Sequence, residues 1–498
     1  MKRLSLLLLA VPVAVLAEPA PEPVDQNTLN QMIIEGRGYD AFVEAFSAGD
    51  ELIDFSFGAD RGVGANIGEG RRFTQIPRAD LAGPTDWANH FPVRDSGANA
   101  TSCVACHNAP FANGAGDIAL NVLVDPAHTG DPTKFLERNT LPLFALGVPQ
   151  RLAEEISLEL YAQRDAARDL ACTEGQVTAE LTAKGVDYGT LVMNRKDHEI
   201  CVVEVDSSGL KGIDADLVVK PFGWKGSHAT IRAFARDTAH NELGMQAVEL
   251  VGDQDGDFDG VINEFTVGDM TSLTAYLAGL ERPVSKLELA ALDLMEVSAE
   301  EQAQILAGEA AFSEIGCATC HVPSMQIDEA VFREPSLVPG FFDETFPDGS
   351  DPEEHGLTRA VSISFDLTKD QPNNLIKLES GNTYHLGAIE RKAGGAGLAR
   401  WFTDFKRHDM GPELADPDDP LGLGANMFLT RSLAGVGVTG PWLHDGRATS
   451  LSEAITAHGG DAAQSASAFA KLLEDERAQV IAFLESLVIY EAESNHSE

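Results

Sequence analysis

The length, composition and charge of the chain limit the kinds of protein it can be. At 498 residues it is too long for one ordinary hydrophobic core, so we expect more than one domain. It carries 36 basic and 78 acidic residues, a formal net charge of −42. Such a field repels nucleic acids and anionic membranes, which argues against binding to either. It would attract a basic redox partner, although solubility in a salty medium explains the charge equally well.

The N-terminus has the pattern of a secretory signal peptide, which we place at residues 1–17. Lys2 and Arg3 precede an apolar run that ends at Ala17. The run is shorter than the roughly 20 residues of a membrane-spanning helix, and no later stretch is apolar enough to span. We therefore expect a soluble, exported protein in the bacterial periplasm, without a membrane span.

Four of the six cysteines lie in two Cys-x-x-Cys-His motifs. The first is Cys103, Cys106 and His107, and the second is Cys317, Cys320 and His321. In this spacing two thiols reach the vinyl groups of one porphyrin, and the histidine presents an imidazole to the iron. A zinc site would need further cysteine or histidine ligands at short spacing, and none accompany either motif. We predict two covalently bound haem c groups.

The other two cysteines, Cys172 and Cys201, lie in an insertion at about residues 150–219. In an oxidising compartment they are expected to form one disulfide, closing a loop of about 30 residues and contributing roughly 3 kcal/mol. Two free buried thiols are the alternative.

An acidic segment at residues 253–264 places hard oxygen donors on alternate positions, which is what calcium requires. The candidate ligands are Asp253, Asp255, Asp257, Asp259 and Glu264. A loop that starts at Asp255 puts Gly260 at the turn but Thr266 where a bidentate acid is expected. A loop that starts at Asp253 supplies Glu264 there but leaves Phe258 at the turn. Both registers stay open, and an unliganded acidic turn is the alternative to a calcium site.

Helices are predicted around the second motif. Ser298 and Glu301 form a capping-box pattern at the start of a helix that ends near Ile315. Gly308 and Phe312 lie on one side of it, where a C-terminal helix at residues 474–490 is expected to cross. Residues 271–283 repeat part of that helix's pattern. We predict a mainly α-helical fold of two cytochrome c-like domains, residues 18–285 and 286–498, the first enlarged by the insertion and long loops.

Several motifs together resemble the dihaem oxidoreductase family, which includes many proteins named as peroxidases by analogy. That family is related to bacterial dihaem cytochrome c peroxidases and to the dihaem enzyme that matures methylamine dehydrogenase. The resemblance extends from about residue 50 to residue 490, and the matching segments are Asn99–Pro110, Gly223–Lys225, Asn241–Met245, Cys317–Pro323, His408–Pro412, Thr439–Ala448, Leu451–Ile455 and His458–Gly460.

The resemblance suggests ligands for the second haem. A short helix after the segment that holds His444 leads to His458, which matches the position of the sixth iron ligand. Met410 is the alternative ligand, because thioether sulfur also binds haem iron. His458 could instead be an ordinary surface-loop histidine with no iron to bind. His444 and Arg447 are expected to support the haem propionates.

The sixth position of the first haem is left open by the sequence. His128, His228, His240 and Met245 all lie in plausible places, and Met245 is preferred if the position is filled. If it is empty, Glu242 and His240 are the candidates to move a proton on bound peroxide. Trp224 resembles a tryptophan that lies between the haems in the related peroxidases, although packing is the commoner role of a tryptophan.

The resemblance implies an oxidoreductase in which the C-terminal haem receives electrons from a small cytochrome or cupredoxin. The electrons would pass to the N-terminal haem and reduce hydrogen peroxide. The alternatives are oxidation of a protein or small molecule by the two haems, and a non-enzymatic carrier in which both irons have two strong ligands.

Overall fold

The computed structural model describes residues 20–490 except 68, 69, 71, 198, 199, 372–374 and 378–382. The predicted signal peptide at residues 1–17 lies outside the described residues. The helices are α1 Gln26–Ile34, α2 Gly38–Asp54, α3 Gly147–Glu174, α4 Ile231–Thr238, α5 Val248–Val251, α6 Val267–Gly279, α7 Lys286–Ala291, α8 Ala299–Glu314, α9 Leu451–Ala457, α10 Ala463–Lys471 and α11 Glu474–Glu485. Within the described part of the chain, no helix has the length and apolar character needed to cross a membrane.

Short antiparallel strands occupy much of the remaining chain. They are β1 Val122–Val124, β2 Leu136–Arg138, β3 Gln176–Ala183, β4 Val186–Arg195, β5 Val203–Asp206, β6 Val284–Ser285, β7 Met325–Ile327, β8 Val331–Glu334, β9 Ile363–Asp366, β10 Leu375–Lys377, β11 Thr383–His385, β12 Glu390–Arg391, β13 Gly397–Ala399, β14 Arg407–Asp409, β15 Met427–Leu429 and β16 Leu487–Val488. The three-stranded sheets are β3-β4-β5 and β12-β13-β7, and the other strands form pairs.

The prediction of a mainly α-helical protein with two cytochrome c-like domains is wrong. The structure contains 37% helix and 14% strand in several small sheets, so the fold is mixed α/β. Most of the strands have two to four residues and lie in segments rich in glycine, proline and aspartate. Such short strands show too few alternations for a periodic pattern to reveal them.

The insertion folds as a helix against a sheet. The long helix α3 packs on β3 and β4, and β4 pairs with β5. Cys172 at the end of α3 forms a disulfide with Cys201, just before β5, with 5.4 Å between their Cα atoms. The predicted disulfide is confirmed, and it links the end of the helix to the outer part of the sheet.

The predicted helix pair around the second motif is confirmed. The side chain of Ser298 accepts a hydrogen bond from the Glu301 N–H and caps α8. A methyl group at Gly308 would lie 1.9 Å from the carbonyl oxygen of Gln479 in α11, so only glycine allows this close crossing. Phe312 packs against Phe483 with ring centroids 5.4 Å apart. The second helix ends earlier than predicted, because the chain continues into β16, which pairs with β6.

A buried ionic network joins the helices of the first half to a strand of the second. Arg232 of α4 donates to Glu249 (Nε to Oε1, 2.9 Å), Glu334 (2.8 Å), the Thr271 hydroxyl (2.9 Å) and the Val267 carbonyl (2.9 Å). Its side chain is 4% exposed. Because every N–H of the guanidinium has an acceptor, the charge is compensated inside the core.

Packing continues across the predicted domain boundary near residue 285. Phe42 of α2 stacks on Phe365 of β9 at a centroid distance of 4.4 Å, and both belong to the largest hydrophobic core. Residues from both halves of the chain thus share one core. The division into two domains stays a prediction.

Candidate functional site

The second motif begins where α8 ends. Gly316 adopts φ +91°, a left-handed conformation that glycine accepts without strain, and the next residues form a short 3₁₀ turn at Cys317–Thr319. His321 follows this turn, and its Nδ1 donates to the Phe402 carbonyl oxygen at 3.2 Å. That hydrogen bond leaves Nε2 as the nitrogen with a free lone pair, which is the form that binds a metal.

A cavity of about 640 Å³ opens beside this motif. This volume lies in the usual range of cofactor sites. Its lining is mainly apolar and includes both motif cysteines and the residues predicted around the second haem: Cys317, Cys320, His321, Met410, His444 and His458. The structure thus brings together residues from three distant parts of the second half of the chain.

His458 faces His321 across the cavity. It caps the end of α9, where its Nδ1 donates to the Ala454 carbonyl oxygen at 2.7 Å. The two imidazole rings have centroids 6.5 Å apart. Two imidazoles bound to one iron have centroids about 6 Å apart, because each iron–nitrogen bond is about 2 Å and each nitrogen lies about 1 Å from its ring centroid. The pair therefore fits an iron with two histidine ligands.

Burial favours the neutral form of both rings. It lowers the pKa of His321 to about 4 and also lowers the pKa of His458. Neutral imidazole is the ligand form, so both histidines are ready to bind metal at neutral pH. Met410 lines the same cavity, but no contact between its side chain and the His321 ring is found among the described residues.

A buried cation in the cavity wall was missed by sequence analysis. Arg431 donates to the carbonyl oxygens of Pro221 and Gly223, both at 3.2 Å, while its buried Nε has no partner. Burial lowers its pKa to about 10, and no carboxylate among the described residues offsets that effect. An unpaired guanidinium in such a wall is suited to an anionic group of a ligand, such as a haem propionate. Its only signal in the sequence was an arginine with no acidic neighbour nearby.

His444 and Arg447, predicted to act together on the propionates, have different surroundings, although both approach the Asp445 carboxylate. His444 is buried in the cavity wall, stacked on Phe428 at 4.3 Å between centroids. The side chain of Arg447 is 47% exposed and donates to Asp445 (2.6 Å) and to the Glu413 carbonyl (2.7 Å). Arg447 does not line the cavity, so Arg431 is better placed for a propionate.

The first motif forms a similar 3₁₀ turn at Cys103–Ala105. His107 Nδ1 donates to the Gly114 carbonyl oxygen at 3.2 Å, and burial lowers the pKa of this imidazole to about 4. The backbone of Leu141 also forms a hydrogen bond with the His107 ring, and Leu141 lines the cavity of the second motif. One segment thus touches both motifs.

Trp224 adjoins this shared segment. Its Nε1 donates to the Asn139 carbonyl oxygen at 2.9 Å, and the indole lines the cavity. The Arg431 guanidinium lies 5.8 Å from the indole centroid, and His444 meets the indole edge to face at 6.5 Å. Trp224 thus lies in the wall of the second motif's cavity, and its role between the two haems stays a prediction.

Glu242 is the ionisable candidate that the structure brings to the first motif. It accepts hydrogen bonds from Ser96 (3.2 Å) and Asn99 (3.0 Å), in the segment that leads to Cys103. Burial raises its pKa to about 7, although both hydrogen bonds oppose the shift. Burial, with a smaller contribution from the charge of Glu242, raises the pKa of the Cys106 thiol to about 11. A carboxyl group with a pKa near neutrality can both accept and donate a proton.

The other candidates for the first site have different surroundings. His240 is 3% exposed, and its Nε2 donates to the Pro92 carbonyl at 3.2 Å. Met245 is fully buried in the core cluster that the first motif's cysteines border. His128 accepts from the Trp87 indole at 3.1 Å, and His228 contacts Ser227 at 2.8 Å. The contacts of these two histidines lie away from the motif, so Met245 stays the preferred ligand for the case in which the sixth position is filled.

The acidic segment also has a definite geometry. Asp255, Asp257 and Asp259 bring one carboxylate oxygen each to within 4.8 Å of one another. Glu264 is buried nearby, whereas Asp253 is exposed and outside the group. In a second group, Cys320, Asp404 and His408 likewise bring one possible ligand atom each to within 4.8 Å of one another. Its cysteine belongs to the second motif and is not free for a separate metal if it binds a haem.

Comparison with known proteins finds one family match, and the matched segment includes residues that line the cavity. Residues 389–487 match a family model described as "Di-haem oxidoreductase, putative peroxidase". The matched stretch contains Met410, Arg431 and His458, and it excludes both Cys-x-x-Cys-His motifs. No curated protein matches the chain. The description names neither of the two relatives suggested by the sequence motifs. Over residues 389–487, this chain is similar to di-haem oxidoreductases, and the match supports that class for the protein.

Proposed function

We propose that this protein is a periplasmic dihaem c-type oxidoreductase that reduces hydrogen peroxide with electrons from a small redox protein. Haem would be attached through thioether bonds to Cys103 and Cys106 and to Cys317 and Cys320. Calcium is proposed as an additional structural ion. When bound, the haems supply one-electron redox chemistry and a metal site for peroxide.

The difference between the two motifs carries the proposal. At the second motif, His321 and His458 offer an imidazole from each side of the cavity, which suits a relay with no open position. At the first motif, desolvation raises the pKa of the half-buried Glu242 carboxyl to about 7, so this group can transfer a proton. One motif thus has the residues for electron transfer and the other has a residue for acid–base chemistry.

Electron transfer between the motifs is supported by the segment they share. Residues 139–142 line the cavity at the second motif, and the Leu141 backbone contacts the His107 ring. Trp224 is hydrogen-bonded to this segment. Packed atoms between two redox centres reduce the gaps through which an electron must tunnel. The direction follows from the residues at each motif: electrons would enter at the C-terminal haem, where two imidazoles are available, and peroxide would be reduced at the N-terminal haem, near Glu242.

The donor is proposed to be a small basic cytochrome or cupredoxin. The net charge of −42 creates a field that would speed the encounter with a positively charged partner. Raising the ionic strength should then lower the second-order rate of electron transfer.

The test is spectroscopy and turnover of the purified holoprotein. We expect two haems that stay attached under denaturing conditions, one low-spin ferric signal and one high-spin signal. Peroxide should react with the high-spin haem and oxidise a reduced donor. Two low-spin haems that ignore peroxide would refute the proposal and favour an electron carrier, the alternative that a buried Met245 ligand would produce.

A further inference from the structure

The acidic loop of the first half contains more negative charge than its surroundings neutralise. Five carboxylates lie in this loop at residues 253–264. Asp253 is exposed to solvent, and the four that lie deeper are those of Asp255, Asp257, Asp259 and Glu264. Arg72 pairs with Asp259 at 2.6 Å, and a second arginine, Arg94, pairs with Asp257 at 2.9 Å. Two arginines against four carboxylates leave a local charge of −2 when all are ionised. A divalent cation would balance that charge.

An unpartnered buried oxygen points independently to a ligand. Asp257 is 0% exposed, and its Oδ2 accepts the hydrogen bond from Arg94. Its Oδ1 is buried and has no hydrogen-bond partner among the residues that the structure describes. A buried carboxylate oxygen without a partner carries a desolvation cost that nothing in the protein returns. Asp257 also brings a carboxylate oxygen within 4.8 Å of oxygens of Asp255 and Asp259, and a cation bound by this group would satisfy the unpartnered Oδ1.

The structure also selects one of the two sequence registers. The Asp255 carboxylate accepts backbone N–H groups of Asp259 (3.0 Å) and Gly260 (2.9 Å), which folds the loop around it. Gly260 has φ +92°, the left-handed conformation required at the sixth position of a calcium loop that starts at Asp255. Asp253 is exposed and belongs to the other register.

Glu264 supplies the acid that this register lacked in the sequence. It is 7% exposed, and one of its oxygens accepts the Gln246 N–H at 2.8 Å. Asp257 and Asp259 both interact with it electrostatically. The acidic group expected at the end of the loop is thus provided two residues earlier than Thr266.

We propose that Asp255, Asp257, Asp259 and Glu264 form a binding site for one Ca²⁺ ion. Oxygen-only donors and a flexible loop suit calcium better than the smaller Mg²⁺, which demands a nearly ideal octahedron. The proposal is independent of the peroxidase activity, because it depends only on these oxygen atoms and their counterions.

The site is mechanically connected to the segment that carries Glu242. Arg94 bridges Asp257 and the carbonyl oxygen of His240, two residues before Glu242. The Gln246 side chain joins the same regions by accepting the Gly256 N–H (2.9 Å) and donating to the Phe91 carbonyl (3.0 Å). Calcium would therefore hold Arg94 and this segment in place.

The experiment is calorimetric titration of the full-length holoprotein after treatment with a chelator. We expect one Ca²⁺ per chain, confirmed by elemental analysis, and a higher melting temperature with Ca²⁺ than with equal Mg²⁺. Asp255→Asn should weaken binding by about tenfold or more. Asp253→Asn, a matched change two residues away, should bind like the wild type.

The wild-type titration decides the question even if a variant does not fold. Absence of Ca²⁺ uptake by the wild type, or equal loss of affinity in the Asp253 and Asp255 variants, would overturn the site. Glu264→Gln provides a second ligand variant, and unchanged affinity in it would remove Glu264 from the set. Because binding is measured without peroxide, a protein with no turnover could still bind Ca²⁺, and the two proposals fail separately.

Discussion

Replacing His458 by alanine tests the assignment of the second haem ligand directly. The rings of His321 and His458 are 6.5 Å apart, which leaves about 2 Å on each side for an iron–nitrogen bond. His458→Ala removes one of these two bonds and leaves a space the size of an imidazole ring. The local fold should change little, because the side chain's described hydrogen bond, to Ala454, contributes only about 1 kcal/mol.

The expected result is loss of the low-spin signal of one of the two haems, measured by electron paramagnetic resonance and visible absorption. Added imidazole should enter the vacated space and restore the low-spin spectrum. Met410→Leu is the matched control, since Met410 lines the same cavity and its loss should leave the spectrum unchanged. An unchanged spectrum in the alanine variant, or loss of the signal in the leucine variant, would refute the assignment.

Three further predictions concern proton transfer and stability. Because burial raises the pKa of Glu242 to about 7, its carboxylate can accept a proton only above that pH, so peroxide turnover should fall as the pH drops through 7. Glu242→Gln should turn over slowly and should lack this dependence on pH. A wild-type rate that does not change with pH would contradict the role. Arg232→Ala should lower the free energy of unfolding by about 3–5 kcal/mol in denaturant titrations, because the buried carboxylates of Glu249 and Glu334 lose their partner. The control Arg37→Ala, at a surface ion pair, should lower it by less than about 1 kcal/mol. Equal effects of the two variants would refute the stabilising role of the network. Replacing Cys172 and Cys201 by serine should cost roughly 3 kcal/mol, seen as a lower melting temperature, and an unchanged melting temperature would contradict this.

Local patterns in the sequence predicted some parts of the fold well. The cap at Ser298, the close approach at Gly308 and the disulfide between Cys172 and Cys201 are all present. Each depends on neighbouring residues or on a residue type with a narrow role. The helix-and-sheet insertion was within reach too, because β3 alternates Val177, Ala179, Leu181 and Ala183 with polar residues, a pattern typical of a half-buried strand.

The mixed α/β class was not within reach of the same reasoning. Strands such as β14 at Arg407–Asp409 and β15 at Met427–Leu429 have three residues each. They are strands because each pairs with the other across a stretch of intervening chain. Intrinsic strand propensity is weak and depends on context, so pairing partners decide the outcome for such short segments.

The sequence alone determined the two Cys-x-x-Cys-His motifs, because their chemistry needs three residues within five positions and no information about distant parts of the chain. Tertiary structure decided what surrounds each motif. Family resemblance suggested His458 as a ligand, but only the fold shows its ring opposite that of His321. Only the fold leaves Arg431 without an acidic partner among the described residues and sets two arginines against four carboxylates in the acidic loop. Ligand distance, burial and charge balance arise between residues far apart in the chain, and local patterns carry no record of them.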